Sequence, residues 1–285
     1  MKTPDSILPE KLLEHTLARL GFSRRPEPGG DGLRAIYDSW CRRVPFDNVR
    51  KLIHVRTGHS EVLPGNTAED FFEAWLKFGT GGTCWSGAGA CQKLLQTLGF
   101  DAVRGVGTML VAPNLPPNHG TVLVTLDDAR YLVDCSILHG EPLLLHESAE
   151  TCVDHPAWGV RCTRHEGRWH IAWRPLHKPD GFDCRLERFG AKHTEFVSFY
   201  GKTRLWSPFN YELSVRINRR DSVIGAGFGK AVTLHPDGSV SSQPVSMQER
   251  NRLLIEEIGI SEEIVRFLPA DTPTPPPPSP FTRSE

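Results

Sequence analysis

Gly79-Thr80-Gly81-Gly82-Thr83-Cys84 is the stretch that decides how this chain reads. The glycine-rich turn ends on Cys84, and the residues up to about Leu98 read as a helix closed by Gly99. A thiol at a helix start faces N–H groups that lack helical partners and the positive end of the aligned peptide dipoles. That setting stabilises the thiolate, the nucleophilic form of cysteine. The early turns, Gly87-Ala88-Gly89-Ala90-Cys91, carry almost no side-chain bulk. Small residues lower helix propensity, so the pattern predicts close approach of another backbone there.

Toward the N-terminus the chain reads as helical. Pro9 suits a first helical position, Leu12, Leu13, Leu17 and Leu20 follow at helical spacing, and Gly21 can close the helix. Leu33, Ile36, Tyr37 and Trp40 form the stripe of a second helix, which ends before Val44-Pro45-Phe46-Asp47-Asn48. Thr67 with Asp70 resembles a capping box for a third helix carrying Phe71, Phe72, Trp75 and Leu76.

Beyond Gly99 the pattern changes to short strands. Val103 to Val111 alternates with glycine, and Ala112 to Asn118 is a proline-rich loop. Thr121 to Leu126 and Arg130 to Asp134 flank the turn Asp127-Asp128-Ala129, and Gly159 to His165 and Arg168 to Trp173 flank Glu166-Gly167. The middle third is therefore expected to be a barrel or strongly curved sheet. Asn210 to Ile217 and Gly229 to Leu234 read as strands, His235-Pro236-Asp237-Gly238 follows as a turn, and Ser246 with Glu249 caps a helix closed by Gly259, before a short helix from Ser261. The proline-rich tail, Asp271 to Glu285, is expected to be disordered. The fold expectation is α+β, with a helical bundle over 1–100, a β-barrel over 101–205, an α/β segment over 206–270 and the tail over 271–285.

Composition narrows the function classes. A net charge of −1 gives no footprint for nucleic acid, and the basic pairs Arg24-Arg25, Arg42-Arg43 and Arg219-Arg220 read as solvated faces, with a polyanionic ligand as the alternative. No run approaches the ~20 apolar residues of a membrane helix, and Met1-Lys2-Thr3-Pro4-Asp5 lacks a signal-peptide core. Seven scattered cysteines without a Cys-x-x-Cys pair favour free thiols in a reducing cytoplasm.

Two later residues fit what an activated thiol needs. His119 stands at a strand entrance, and Asp134 ends the next strand fifteen residues on, a spacing that lets an imidazole and a carboxylate face each other across a hairpin. Free cysteine titrates near pH 8.5, so a base is needed at neutral pH. His119 would accept the proton of Cys84, and Asp134 would hold the tautomer and stabilise the imidazolium. Backbone N–H groups near Cys84 would hold the oxyanion of an attacked acyl carbonyl. The competing pattern is Cys152-x-x-His155 with Cys162-x-x-His165, formally four zinc ligands, but the spacing matches no common module. Cys41, Cys91, Cys135, Cys152, Cys162 and Cys184 are otherwise read as buried small hydrophobes. Gly225-Ala226-Gly227-Phe228-Gly229 lacks the βαβ setting of a dinucleotide site and reads as a bend over the active site, within reach of a cofactor.

These residues resemble the arylamine N-acetyltransferase family. Val44-Pro45-Phe46-Asp47-Asn48-Val49 is similar to the family's Pro-Phe-Glu-Asn-Leu, Gly81-Gly82-Thr83-Cys84 to its nucleophile motif, and Asn118-His119 and Leu132-Val133-Asp134 to its histidine and aspartate segments. The resemblance runs from about Pro9 to Leu268. It implies a helical bundle, a β-barrel and an α/β lid. It also implies a ping-pong reaction in which acetyl-CoA or another acyl-CoA, as co-substrate with no permanently bound cofactor, acylates the cysteine and an arylamine, hydrazine or related amine takes the acyl group. By position Cys84 is then the nucleophile, His119 the general base and Asp134 the orienting carboxylate.

The chain departs from the pattern at Thr80, where the family has arginine, at Ser86 and Ala88, where it has glutamate and asparagine, and at the shorter Asp47. Those polar residues brace the nucleophile loop in the family, so a rebuilt surround is expected. Three other readings stay open: an amide synthase taking its acyl group from an acyl carrier protein, a thiol hydrolase, and an inactive binding protein on the same scaffold.

Overall fold

A computed structural model describes residues 7–58, 62–112, 114–178 and 180–276. The chain opens with α1 (Glu10–Arg19) and α2 (Gly30–Arg43), then the two-residue strand β1 (Phe46–Asp47), α3 (Val49–Arg56), α4 (Ala68–Phe78) and α5 (Cys84–Thr97). Pro9 lies one position earlier than expected, as the cap preceding α1. α2 buries the expected stripe of Leu33, Ile36, Tyr37 and Trp40. At α4 the Thr67 hydroxyl accepts from the Asp70 N–H, but the Asp70 carboxylate turns to Arg50 and the Gly65 N–H, so the capping box is half formed.

Strands follow: β2 (Asp101–Met109), β3 (His119–Leu126), β4 (Ala129–Val133), β5 (Leu143–Leu144), β6 (Thr151–Val153), β7 (Val160–His165), β8 (Arg168–Trp173) and β9 (Phe182–Phe189). They form one antiparallel sheet in the order β5-β4-β3-β2-β9-β8-β7-β6, and its end strands β5 and β6 come back near each other, giving a nearly closed barrel. Both expected hairpins form: Asp127 and Asp128 take positive φ of 47° and 64°, and Glu166 and Gly167 of 49° and 76°, the turn geometry that matches strand twist.

After α6 (His193–Lys202) comes a second antiparallel sheet of β10 (Ser214–Arg219), β11 (Ser222–Gly227), β12 (Lys230–Leu234) and β13 (Val240–Pro244). Its order is β1-β10-β11-β12-β13, so Phe46–Asp47, from the helical part of the chain, completes it. α7 (Met247–Leu253) starts at the expected Ser246–Glu249 capping box, runs into a π turn over Leu254–Ile258 and stops at Gly259, whose φ is 85°. α8 (Glu262–Val265) is the short helix from Ser261.

The main core crosses from helices to barrel. Leu33, Trp40, Phe72 and Leu94 share it with Val122 and Val124 of β3 and with Phe196 of α6. α5 lies against β2 and β3. The close approach expected at the small residues is real but uneven. A Cβ on Gly87 would stand 3.2 Å from that of Cys135, while one on Gly89 would meet nothing within 4 Å. A tighter contact comes from the facing strand, where a Cβ on Gly120 would stand 2.9 Å from the Trp85 ring and 3.2 Å from its Cα.

Candidate active site

The turn before Cys84 is stitched to the Pro45–Asp47 segment. Gly81 donates its N–H to Asp47 Oδ2 at 2.6 Å, the Asp47 N–H reaches the Gly82 carbonyl at 3.2 Å, and Phe46 bridges Gly82. Gly81 must be glycine, because a Cβ there would sit 1.8 Å from the Pro45 carbonyl oxygen. Asp47 spends its second oxygen on the Val49 N–H at 3.0 Å. Burial raises its pKa to about 6 despite those two N–H donors. The shorter acid thus still braces the turn before Cys84. Ser86 donates to the Thr83 carbonyl at 3.0 Å, and Ala88 is fully buried in the core.

His119 starts β3 and is 1% exposed. Its Nε2 lies 2.6 Å from Asp134 Oδ2. The other Asp134 oxygen accepts the N–H groups of Ser136 and Ile137, each at 2.9 Å. This arrangement leaves Nδ1 of the imidazole for the sulfur, and Cys84 acts on His119 through both a hydrogen bond and charge. Burial disfavours the imidazolium, yet Asp134 and Cys84 outweigh it and bring His119 to about 10. Burial likewise disfavours the Asp134 carboxylate, but His119 and the backbone donors hold it well below the usual carboxylate range. The structure therefore brings all three residues singled out in the sequence to one point. Asn118 helps to fix it: its side-chain oxygen accepts the Met109 N–H at 2.8 Å, and its carbonyl oxygen lies 3.9 Å from Cys84 Sγ.

Cys84 opens into a cavity of about 320 Å³ between barrel and lid sheet, lined largely by apolar side chains that include Phe46, Trp173, Phe182, Trp206, Phe209 and Phe228. Gly227 and Phe228 line it too, so the glycine-rich segment does reach the site: Gly225 to Gly227 end β11, and Phe228-Gly229, with φ of 52° and 75°, form the turn into β12. The two Cys-x-x-His pairs lie elsewhere. Cys152 pairs with Arg161 and Cys162 with Thr151, which sends the two thiols to opposite faces of the sheet. Among the described residues no group of three or more His, Cys, Asp or Glu is placed to hold a metal ion.

Two residues of consequence went unread in the sequence. The Tyr37 hydroxyl accepts the N–H groups of Asp134 and His139 and donates to the Asp134 carbonyl at 2.8 Å, pinning the carboxylate segment. Its place on an apolar stripe concealed that role. Lys51 lines the cavity and is 2% exposed. The sequence hid it, because Lys51 stands beside Arg50 and reads as one of a basic pair on a helix.

Comparison with known proteins then fixes the family. The N-acetyltransferase family model matches residues 31–174, about half of the chain. The chain belongs to the arylamine N-acetyltransferase family. An arylamine N-acetyltransferase of Mycolicibacterium smegmatis is 27% identical over 227 residues, which span 77% of this chain and 70% of that protein. One of Escherichia coli (strain K12) is 27% identical over 126 residues, 43% and 42% of the two chains. Among solved structures, the arylamine N-acetyltransferase of Mycobacterium abscessus superimposes with a TM-score of 0.74 at 19% identity, covering 90% of this chain and 92% of its own. That of Mycobacterium marinum in complex with CoA gives 0.75 at 17% identity, covering 89% and 94%. The helical, barrel-like and lid layers are thus the arylamine N-acetyltransferase fold. Membership supports acetyl transfer to an amine as the reaction class. No helix among the described residues is long and apolar enough to cross a membrane.

Proposed function

We propose that this protein moves an acetyl or related acyl group from a CoA thioester to an arylamine, hydrazine or similar amine through an acyl-cysteine on Cys84. The observation that carries the reading is the buried His119–Asp134 pair at 2.6 Å set against Cys84. Asp134 makes His119 a strong proton acceptor, so the thiol proton passes to the imidazole and the sulfur attacks the thioester carbonyl. The N–H groups of the first turn of α5, which have no helical acceptors, would receive the oxyanion. CoA thiolate leaves, taking a proton from the imidazolium. The amine then attacks the acyl-cysteine, and His119 removes its proton as sulfur departs. The apolar, aromatic cavity suits an aromatic acceptor and keeps water from the acyl-enzyme. The CoA-bound relative of the same fold supports CoA as the donor's carrier.

Incubation with acetyl-CoA and no amine is expected to add one acetyl group, mapped to Cys84 by mass spectrometry, and Cys84→Ala is expected to add none. Acetylation at another residue, or no acetylation while a carrier-protein thioester reacts, would remove this reading in favour of the amide synthase.

A further inference from the structure

The acyl-transfer chemistry leaves Lys51 without a task. It sits in α3, lines the cavity that holds Cys84 and is 2% exposed. Among the described residues its ammonium makes no hydrogen bond or ion pair, and the Tyr200 ring lies 6.0 Å away, the outer limit of a cation–π contact. A buried lysine without a counter-charge is costly and is seldom kept for packing. None of the described residues lining the cavity is an aspartate or glutamate, so no carboxylate of the described lining balances it. The neighbouring cation, Arg204, is engaged with His54 Nε2 at 2.7 Å and adds to the positive field.

We propose that Lys51 is a specificity-determining residue that reads a carboxylate on the acceptor amine, so that the site selects anionic aromatic amines over neutral ones. The inference deepens the acyl-transfer reading and rests on it. Burial pulls the Lys51 ammonium down to about 7, and the Cys84 sulfur is the group that opposes this by favouring its charged form. Acylation removes that negative charge. A carboxylate that enters next replaces it and draws a proton onto Lys51, whereas a carboxylate on the acyl donor would have to enter beside the thiolate. The timing therefore favours the acceptor as its carrier. The other buried cation of the cavity wall, Arg216, donates to the Arg174 carbonyl at 3.4 Å and lies over the Trp173 ring at 5.3 Å, whereas Lys51 has no hydrogen bond among the described residues.

The test measures binding without turnover. In the Cys84→Ser protein, which has no thiolate, calorimetric titration with 4-aminobenzoate and with its methyl ester is expected to show the acid bound at least about tenfold tighter, the span of a charge-assisted hydrogen bond. Adding Lys51→Met is expected to collapse the ratio to below about threefold, and adding Lys51→Arg to keep it. If the methionine variant does not fold, as judged by thermal melting, Lys51→Gln takes its place. Absence of an acid preference, or a preference that survives loss of the lysine, would overturn the proposal. So would a Lys51-dependent preference for succinyl-CoA over butyryl-CoA in acylating Cys84 with none among acceptors. Should wild-type Cys84 not acetylate at all, the acyl-transfer reading falls while the binding ratio still decides the role of Lys51.

Discussion

Asp134 has no solvent exposure, yet it remains charged because His119, two backbone N–H groups and the Tyr37 framework enclose it. Replacing it by asparagine keeps the size and one acceptor but removes the charge that outweighs burial at His119. The imidazole then no longer holds a proton against its apolar surroundings. Asp134→Asn is expected to slow acetylation of Cys84 by about a thousandfold or more, read as the rate of mass gain in quenched time points. The same pair predicts a pH signature in stability. His119 is raised in the folded protein, from its ordinary 6.5 to about 10. Its contribution is therefore complete below about pH 6.5 and is lost as pH climbs toward 10. Melting temperature is expected to fall across that window in the wild type and to fall less in Asp134→Asn. Equal slopes in the two proteins would show that the pair does not carry the charge assigned to it.

At the scale of elements, the distance between Cys84 and His119 is set where α5 crosses β3. Gly120 follows His119 and touches the Trp85 ring, next to Cys84. Gly120→Ala would push helix and strand apart at the point that joins sulfur to imidazole. A cost of about 1–3 kcal/mol is expected from overpacking, together with a larger fractional loss of acetylation rate than the stability change alone explains. Gly89, on the same helix with open space around its Cα, is the control. Gly89→Ala is expected to raise stability by about 0.5–1 kcal/mol through helix propensity. Thermal melting of both variants checks the pair, and a stabilising Gly120→Ala would refute the contact. These two glycines also show how far sequence reading goes. Small residues announce close packing, but they do not say which of them faces it. The hairpin turns, the α2 stripe and the Ser246 cap were legible because each rests on a local rule. The strand Ser222–Gly227 was not, because Gly225 looks like a loop residue. It is glycine because a Cβ there would come within 1.9 Å of the Val215 carbonyl on the neighbouring strand. β9 and α6 escaped for a related reason. Cys184 and Leu186 in β9, and Phe196 and Tyr200 in α6, are all the apolar pattern those elements bury.

At the scale of the whole molecule, the segment that follows α8 supplies part of the cavity wall. Residues 271–276 begin the stretch expected from composition to be disordered, and they are instead tied down; residues 277–285 lie outside the described residues. Proline has no N–H to satisfy, so a few polar contacts suffice to fix such a segment. Asp271 Oδ1 accepts the Leu213 N–H at 2.9 Å and Arg250 at 3.1 Å, the Thr272 N–H reaches the Tyr211 carbonyl at 3.0 Å, and Thr274 donates to Glu212 at 2.6 Å. Thr274 and Pro275 thereby become part of the cavity wall. Composition registered the prolines but not the partners waiting for Asp271, which belong to segments sixty and twenty residues earlier. Ending the chain at Ala270 strips the largely buried Arg250 of its carboxylate and removes Thr274 and Pro275 from the wall of the cavity that Cys84 lines. Such a protein is expected to be about 1–3 kcal/mol less stable and to lose acetyl from Cys84 to water severalfold faster when no amine is present. Ending it at Pro276 keeps every one of these contacts and is expected to change neither quantity. Mass spectrometry of the acetylated proteins over time separates the cases. Equal hydrolysis rates in both truncations would mean that the segment lies over the cavity without sealing it.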